Sequence, residues 1–334
     1  MQSSLRLIGK QIRKALIATT LIVAELGATA PAQELQRWRH GVIEPKGDGG
    51  LSLMVAHHGF AAKHGLKLET LITKNGAIAI KALLAGEIDS IEASPGAAIL
   101  AGANGADIKI VGCNMPGLPH VLMARSNVAT VRDLEGKIVA VAAPGSLPNL
   151  LMNTLLEKYN IPVSKVNFAN LGSESNRYQA IIAGIADAGV VSSEFIPIAP
   201  SDLKVLVAAR DVLPNYLRVC LIMTGKTLAT QRTAAIQFVA AEMEALKFAL
   251  THRDDTIKLT REIINAKPND PRAAYGYDDA VMHGAVDPLI GLPMNKLQWM
   301  QSELLKADNL KAQIDLSKIV DPEIRTRAIE RLTK

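Results

Sequence analysis

Cysteine is nearly missing from this 334-residue chain, which has two, Cys113 and Cys220. Two are too few for a disulfide framework. Both lie in apolar strand-like stretches, IKIVGC and RVCLIM, where a free cysteine behaves as a small core residue. An oxidising compartment would permit a bridge between them. No CxxC, HExxH or His/Cys cluster at metal-ligand spacing occurs, so no metal site and no cofactor is expected. Aromatic residues are only 4% of the chain, which argues against a row of rings stacking on single-stranded nucleic acid. A long membrane-spanning run is lacking too. The apolar stretch Ala15 to Ala24 is well short of the ~20 residues a spanning helix needs.

What is present points to a folded, exported chain. Hydrophobic residues make up 49% and charged residues 21%, which excludes a disordered chain. Arg6, Lys10, Arg13 and Lys14 form a basic start, the short apolar run comes next, and Ala28-Thr29-Ala30-Pro31-Ala32 offers small residues for cleavage. Residues 1–32 therefore read as a secretory signal peptide. Removing them takes away four basic groups and one acidic one, leaving 33 against 31. The formal charge of +5 thus falls to +2, and no nucleic-acid partner is expected.

The middle of the chain repeats itself. Residues 82–94 read ALLAGEIDSIEAS and residues 180–192 read AIIAGIADAGVVS, at a constant offset of 98. Ala82, Ala85, Gly86, Asp89 and Ser94 recur as Ala180, Ala183, Gly184, Asp187 and Ser192. Each copy reads as a helix closed by a left-handed glycine, then an Asp opening a short apolar strand that ends in a serine loop. Preceding stretches, Lys67 to Leu71 and Lys165 to Ala169, read as strands at the same offset. Strand, helix and strand in this order build parallel sheets, and ligands sit beyond the carboxyl ends of such strands. Two units of this kind suggest two similar halves facing one another.

Several loops then become candidates. Ser146 precedes a helix with Pro148 near its start, and with Gly145 it can present backbone N–H groups to an anion. Asn75-Gly76 opens another helix, and Gly172 to Arg177 is the matching loop, bringing Glu174, Ser175 and Arg177. Ser94-Pro95 and Ser192 end the repeated strands and are expected to face each other across a gap. Asn114 lies in the loop CNMPGLPH. Arg177 reads either as a partner for an anion or as a solvated helix residue. Glu194 reads either as an acceptor favouring an amine or another donor, or as the partner of a base in its own half. Lys74 and Arg177 are the only cations in these loops, few for an anion specialist.

Taken together, HHGFAAKHGLKLET, KALLAGEIDSIEASPGAAILA, VRDLEGKIVAVAAPGS and AGIADAGVV resemble the nitrate/sulfonate/taurine branch of ABC-importer substrate-binding proteins, a branch that also holds thiamine-precursor binders. The resemblance spans roughly residues 50–265. It implies an α/β, two-lobed periplasmic-binding-protein fold of type II, with two crossover strands and each lobe a mixed sheet flanked by helices. One lobe is expected from 34–118 plus 219–334 and the other from 119–218. The implied role is periplasmic and non-catalytic. The chain would act as a monomer, capture a small polar or anionic organic solute (sulfonate-, carboxylate- or pyrimidine-like) and pass it to an ABC permease in the inner membrane. Two other roles suit the same fold, a pyrimidine-precursor synthase and a ligand sensor for a membrane receptor. The synthase family relies on a cysteine-rich motif, which Cys113 and Cys220, far apart in the chain, do not supply.

Overall fold

The structure is a computed structural model that describes residues 34–73, 76–142 and 146–333. The expected signal peptide and the candidate residues Asn75 and Gly145 lie outside the described residues.

Short apolar strands set the architecture. β1 (Gln36–Ile43), β2 (Leu66–Thr73), β3 (Ser90–Ala93), β4 (Lys109–Met115) and β10 (Val219–Met223) form one sheet in the order β2-β1-β3-β10-β4. β5 (His120–Arg125), β6 (Ile138–Val141), β7 (Asn167–Asn170), β8 (Ala188–Ser192) and β9 (Leu203–Ala208) form the other, in the order β7-β6-β8-β5-β9. The two orders are the same once β2 is matched to β7, β1 to β6 and β3 to β8. In each sheet the first three strands are parallel, and the fourth, β10 or β5, runs antiparallel to both of its neighbours. That fourth strand always comes directly after a passage from the other sheet. The chain crosses between β4 and β5 and returns between β9 and β10.

The central strands β3, β5 and β8 are buried almost throughout, mostly through Ile, Val, Leu, Met and Ala, with the polar Ser90, Glu92, His120 and Ser192 buried among them. The long helix Arg232–Thr251 packs Ala234, Phe238, Ala241, Ala245 and Ala249 inward at three- and four-residue spacing. Phe238 stacks on Trp38 of β1 at a centroid distance of 5.6 Å, and Trp38 Nε1 donates to Ser90 Oγ at 2.9 Å. The indole's one polar atom is therefore satisfied inside the core.

The repeat has a structural cause. Gly86 and Gly184 both take φ of 74°, the left-handed region in which glycine avoids the steric cost of a Cβ. Asp89 accepts from the Arg39 N–H at 2.8 Å, and Asp187 accepts from the Ile138 N–H at 3.0 Å. Each aspartate thus ties the strand it opens to the neighbouring parallel strand, β1 or β6.

A point that the sequence leaves open is the state of the two cysteines. Cys113 and Cys220 are not free core residues. They are joined in a disulfide between adjacent strands β4 and β10, at an irregular stretch of pairing between Val219↔Met115 and Leu221↔Gly112. Their apolar surroundings were legible, but their adjacency depends on a sheet closed by chain 107 residues away. The polar stretch 131–137 contains a short 3₁₀ helix, Val131–Leu134, held by a reciprocal Thr130–Asp133 capping box.

Candidate functional site

A cleft of about 670 Å³ opens where the ends of the two sheets meet. Residues just past the carboxyl ends of parallel strands line it: Glu44 after β1, Ser94 after β3, Ala142 after β6, Ser173 to Ser175 after β7 and Glu194 after β8. The antiparallel strands bring their starts to the same place, His120 from β5 and Arg218 just before β10. This is where an open α/β sheet binds its ligand, because side chains and loops converge there without breaking strand pairing.

Charge inside the cleft is dense and largely paired. Lys46 forms an ion pair with Glu174, and His120 Nε2 lies 3.0 Å from Glu174 Oε1. Arg218 pairs with Asp48, and Arg272 with Asp270 at 2.6 Å. Burial pushes Glu174 up, but Lys46 and His120 outweigh it and hold the carboxyl well below its ordinary range. Asp48 is likewise held low by Arg218 against the opposing effect of burial. Burial lowers His120, with Glu174 opposing. Glu194 differs: burial first, then the negative charges of Asp48 and Glu174, push it up to about 7. Its Oε2 accepts the Gly47 N–H from the loop after β1, so this contact ties the two halves together.

Unmet hydrogen-bonding capacity gathers here. A neutral His120 that donates Nε2–H to ionised Glu174 leaves Nδ1 a bare acceptor, and that atom is buried without a partner. Glu174 Oε2 is also buried without a partner. Buried polar groups are nearly always satisfied, so two unmet acceptors on cleft-lining residues point to something that occupies the space beside them.

The candidate residues divide unevenly. Ser94, Glu174, Ser175, Arg177 and Glu194 line the cleft. Ser94 Oγ lies 3.4 Å from Tyr216 Oη. Arg177 is not solvated, and much of its guanidinium is engaged by the backbone. It is buried, its Nε donates to Val190 O at 2.6 Å and its Nη1 to Gly172 O. Ser192 is buried at the end of β8 and is not among the residues lining the cleft, so the expected pair of facing serines is not formed. The strand continues into a tight 3₁₀ turn, Ser193–Ile198, that turns Glu194 inward instead. Asn114 sits behind the cleft, donating to Glu92 and, at 3.2 Å, to Glu242. Gly76 and Pro95 begin helices without lining the cleft. Ser146 occupies the N-cap position of the helix Leu147–Lys158 but makes no side-chain cap, and its Oγ is buried without a partner. The next residues, Leu147 and Pro148, do line the cleft.

Sequence reasoning missed Lys46, Gly47, Asp48, His120, Tyr216, Arg218 and Arg272. The segment Glu44 to Gly50, polar and rich in Gly and Pro directly after a strand, carried a usable signal. Tyr216 and Arg218 could have been found by asking what a strand returning from the other sheet brings with it. Arg272, on a distant C-terminal helix, gave no such hint.

Among the described residues no helix is long and apolar enough to cross a membrane, and no group of three His, Cys, Asp or Glu side chains is placed to hold a metal ion. A sequence profile described as NMT1/THI5 like matches residues 51–256. A binding protein of Brucella abortus (strain 2308) is 24% identical over 259 residues, which is 75% of this chain and 79% of that protein. The periplasmic aliphatic sulphonate-binding protein SsuA of Escherichia coli superposes with a TM-score of 0.71 at 19% identity, covering 87% of this chain and 99% of its own. The periplasmic nitrate-binding protein NrtA of Synechocystis PCC 6803 gives 0.68 at 14% identity, covering 90% and 89%. These likenesses bear out the expected fold. The chain belongs to the NMT1/THI5-like family and has the periplasmic-binding-protein fold.

Proposed function

We propose that this chain is the periplasmic solute-binding component of an ABC importer, holding one small polar organic solute between its lobes and delivering it to a membrane permease. The lobes are taken as 34–118 plus 219–334 and 119–218, a division supported by the membership of the two sheets. The carrying observation is the cleft of about 670 Å³ lined by both sheets, with unmet acceptors on two of its side chains. A space of this size suits a small organic molecule. A bound solute would bridge loops from both lobes and stabilise the closed arrangement. The export segment and the fold of the structural relatives support the periplasmic setting. The chain is expected to work as a monomer, because the described lining residues of the cleft come from both sheets of one copy.

The test is a thermal-shift screen of residues 33–334 against small sulfonates, carboxylates, amines and pyrimidines. A solute that binds only the native state at about 100 times its Kd adds about 2.7 kcal/mol. The melting temperature should therefore rise by several degrees with one chemical class. Ser94→Phe should abolish the rise while leaving the fold intact by circular dichroism. A rise that survives Ser94→Phe would move the site elsewhere, and turnover of any solute by the purified chain would contradict a carrier.

A further inference from the structure

Resting on the solute-binding reading, we infer that the solute carries a cationic nitrogen group, an ammonium or guanidinium, that docks on Glu194 beside Glu174. Three observations converge. Among the described residues, every cation lining the cleft lies within 4.0 Å of a carboxylate: Lys46 and Arg177 share Glu174, the latter at 3.9 Å, Arg218 has Asp48 and Arg272 has Asp270. Five acids, Glu44, Asp48, Glu92, Glu174 and Glu194, line the cleft against these four cations, so positive charge is not in excess there for a sulfonate or carboxylate head. Glu194, by contrast, is 7% exposed, lines the cleft and makes no ion pair within 4.0 Å among the described residues. Among those residues its only hydrogen bond is the one from the Gly47 N–H. Finally, the buried unmet atoms on cleft-lining side chains, His120 Nδ1 and Glu174 Oε2, are both acceptors. A buried carboxylate without a cation is costly, and a guest with several N–H donors relieves that cost and meets the neighbouring acceptors together.

The charged groups facing Glu194 are Asp48 and Lys46 from the loop after β1, Glu174 from the start of the helix Glu174–Ile182, and Arg272 from the start of the helix Arg272–Met282. Glu92, on the cleft floor, is also pushed up to about 7, by burial first. A cation needs Glu194 ionised, so below about 7 it must displace a proton. Cation affinity should therefore fall about tenfold from pH 8 to pH 6.

The experiment uses agmatine and benzamidinium as cationic probes and ethanesulfonate, benzoate and nitrate as anionic ones, each at 10 mM. Thermal shift and calorimetry are run at pH 8 and pH 6 on residues 33–334 and on Glu194→Gln, which keeps an acceptor for the Gly47 N–H. The expected result is a rise of about 2 °C or more with a cationic probe at pH 8, weaker binding at pH 6, and loss of both the rise and its pH dependence in Glu194→Gln. Cation binding that persists in Glu194→Gln, or whose pH dependence persists there, overturns the assignment to Glu194. A rise with the anions alone overturns the cationic solute and leaves the solute-binding reading standing. No rise with any probe counts against both.

Discussion

Glu242 faces inward from the helix Arg232–Thr251 with one carboxyl oxygen 3.2 Å from the Asn114 amide and the other without a partner. The same amide nitrogen serves Glu92, so two buried acids share one donor group. Burial first, then the charge of Glu92, raises Glu242 well above 4.5. Glu92 itself is raised to about 7. A carboxyl whose folded pKa lies above its unfolded value stabilises the fold fully below the unfolded pKa, and that stability is lost as pH rises through the folded pKa. Calorimetric melting temperatures should therefore decline from about pH 5 to about pH 8. Glu242→Gln should flatten the slope, and an unchanged slope would remove this pair as its source. Arg177 is legible in a different way: its place beside the cleft can be read from the sequence, its job cannot. Its guanidinium straps Val190 O and Gly172 O, so Arg177→Ala should lower unfolding free energy by about 1.5–3 kcal/mol in denaturant titration. A solvated side chain would give almost no change.

At the scale of elements, the helix–strand unit was the most readable part of the chain because one physical device is used twice. The glycine that closes the helix and the aspartate that pins the next strand are local requirements, and local requirements leave short, regular marks in sequence. Asp187→Ala removes the carboxylate that accepts the Ile138 N–H at the start of β6 and should destabilise by about 0.5–1.5 kcal/mol. Asp89→Ala should lose at least as much, since Asp89 also takes the Arg39 guanidinium, with Arg39 Nη2 at 2.7 Å from Asp89 Oδ1. Denaturant melts that leave both variants at wild-type stability would show that the repeat is not held this way. The matching serines misled for the same reason. Ser94 and Ser192 share a position in the repeat, but the chain after β3 enters the helix Pro95–Ala103 whereas the chain after β8 enters a 3₁₀ turn. A side chain's direction past a strand end is set by the next element of the chain, and the repeated segment stops short of it.

For the whole molecule, the second sheet is an excursion out of the first, and the disulfide closes its base. Cys113 precedes β5 and Cys220 comes after β9, so the bridge encloses the entire second sheet. Closing a loop of this length restricts the unfolded chain by about 4–5 kcal/mol in the chain-entropy model. Reduction, or Cys113→Ser with Cys220→Ser, should lower the melting temperature of residues 33–334 sharply, and an unaltered melt would contradict the bridge's role. None of this was readable from two cysteines in apolar runs, because the pairing belongs to the topology. The halves also meet through Ser193 Oγ, which donates to Asp279 at 2.7 Å, and through the Lys46–Glu174 and Gly47–Glu194 contacts around the cleft. Solute capture between the two sheets is tested most directly by a crystal structure of the oxidised chain with the solute that most raises its melting temperature. Electron density for one molecule is expected in the cleft, touching Glu194 or Glu174 on one side and residues such as Ser94 or Arg218 on the other. Density at any other place, or against one sheet alone, would contradict it.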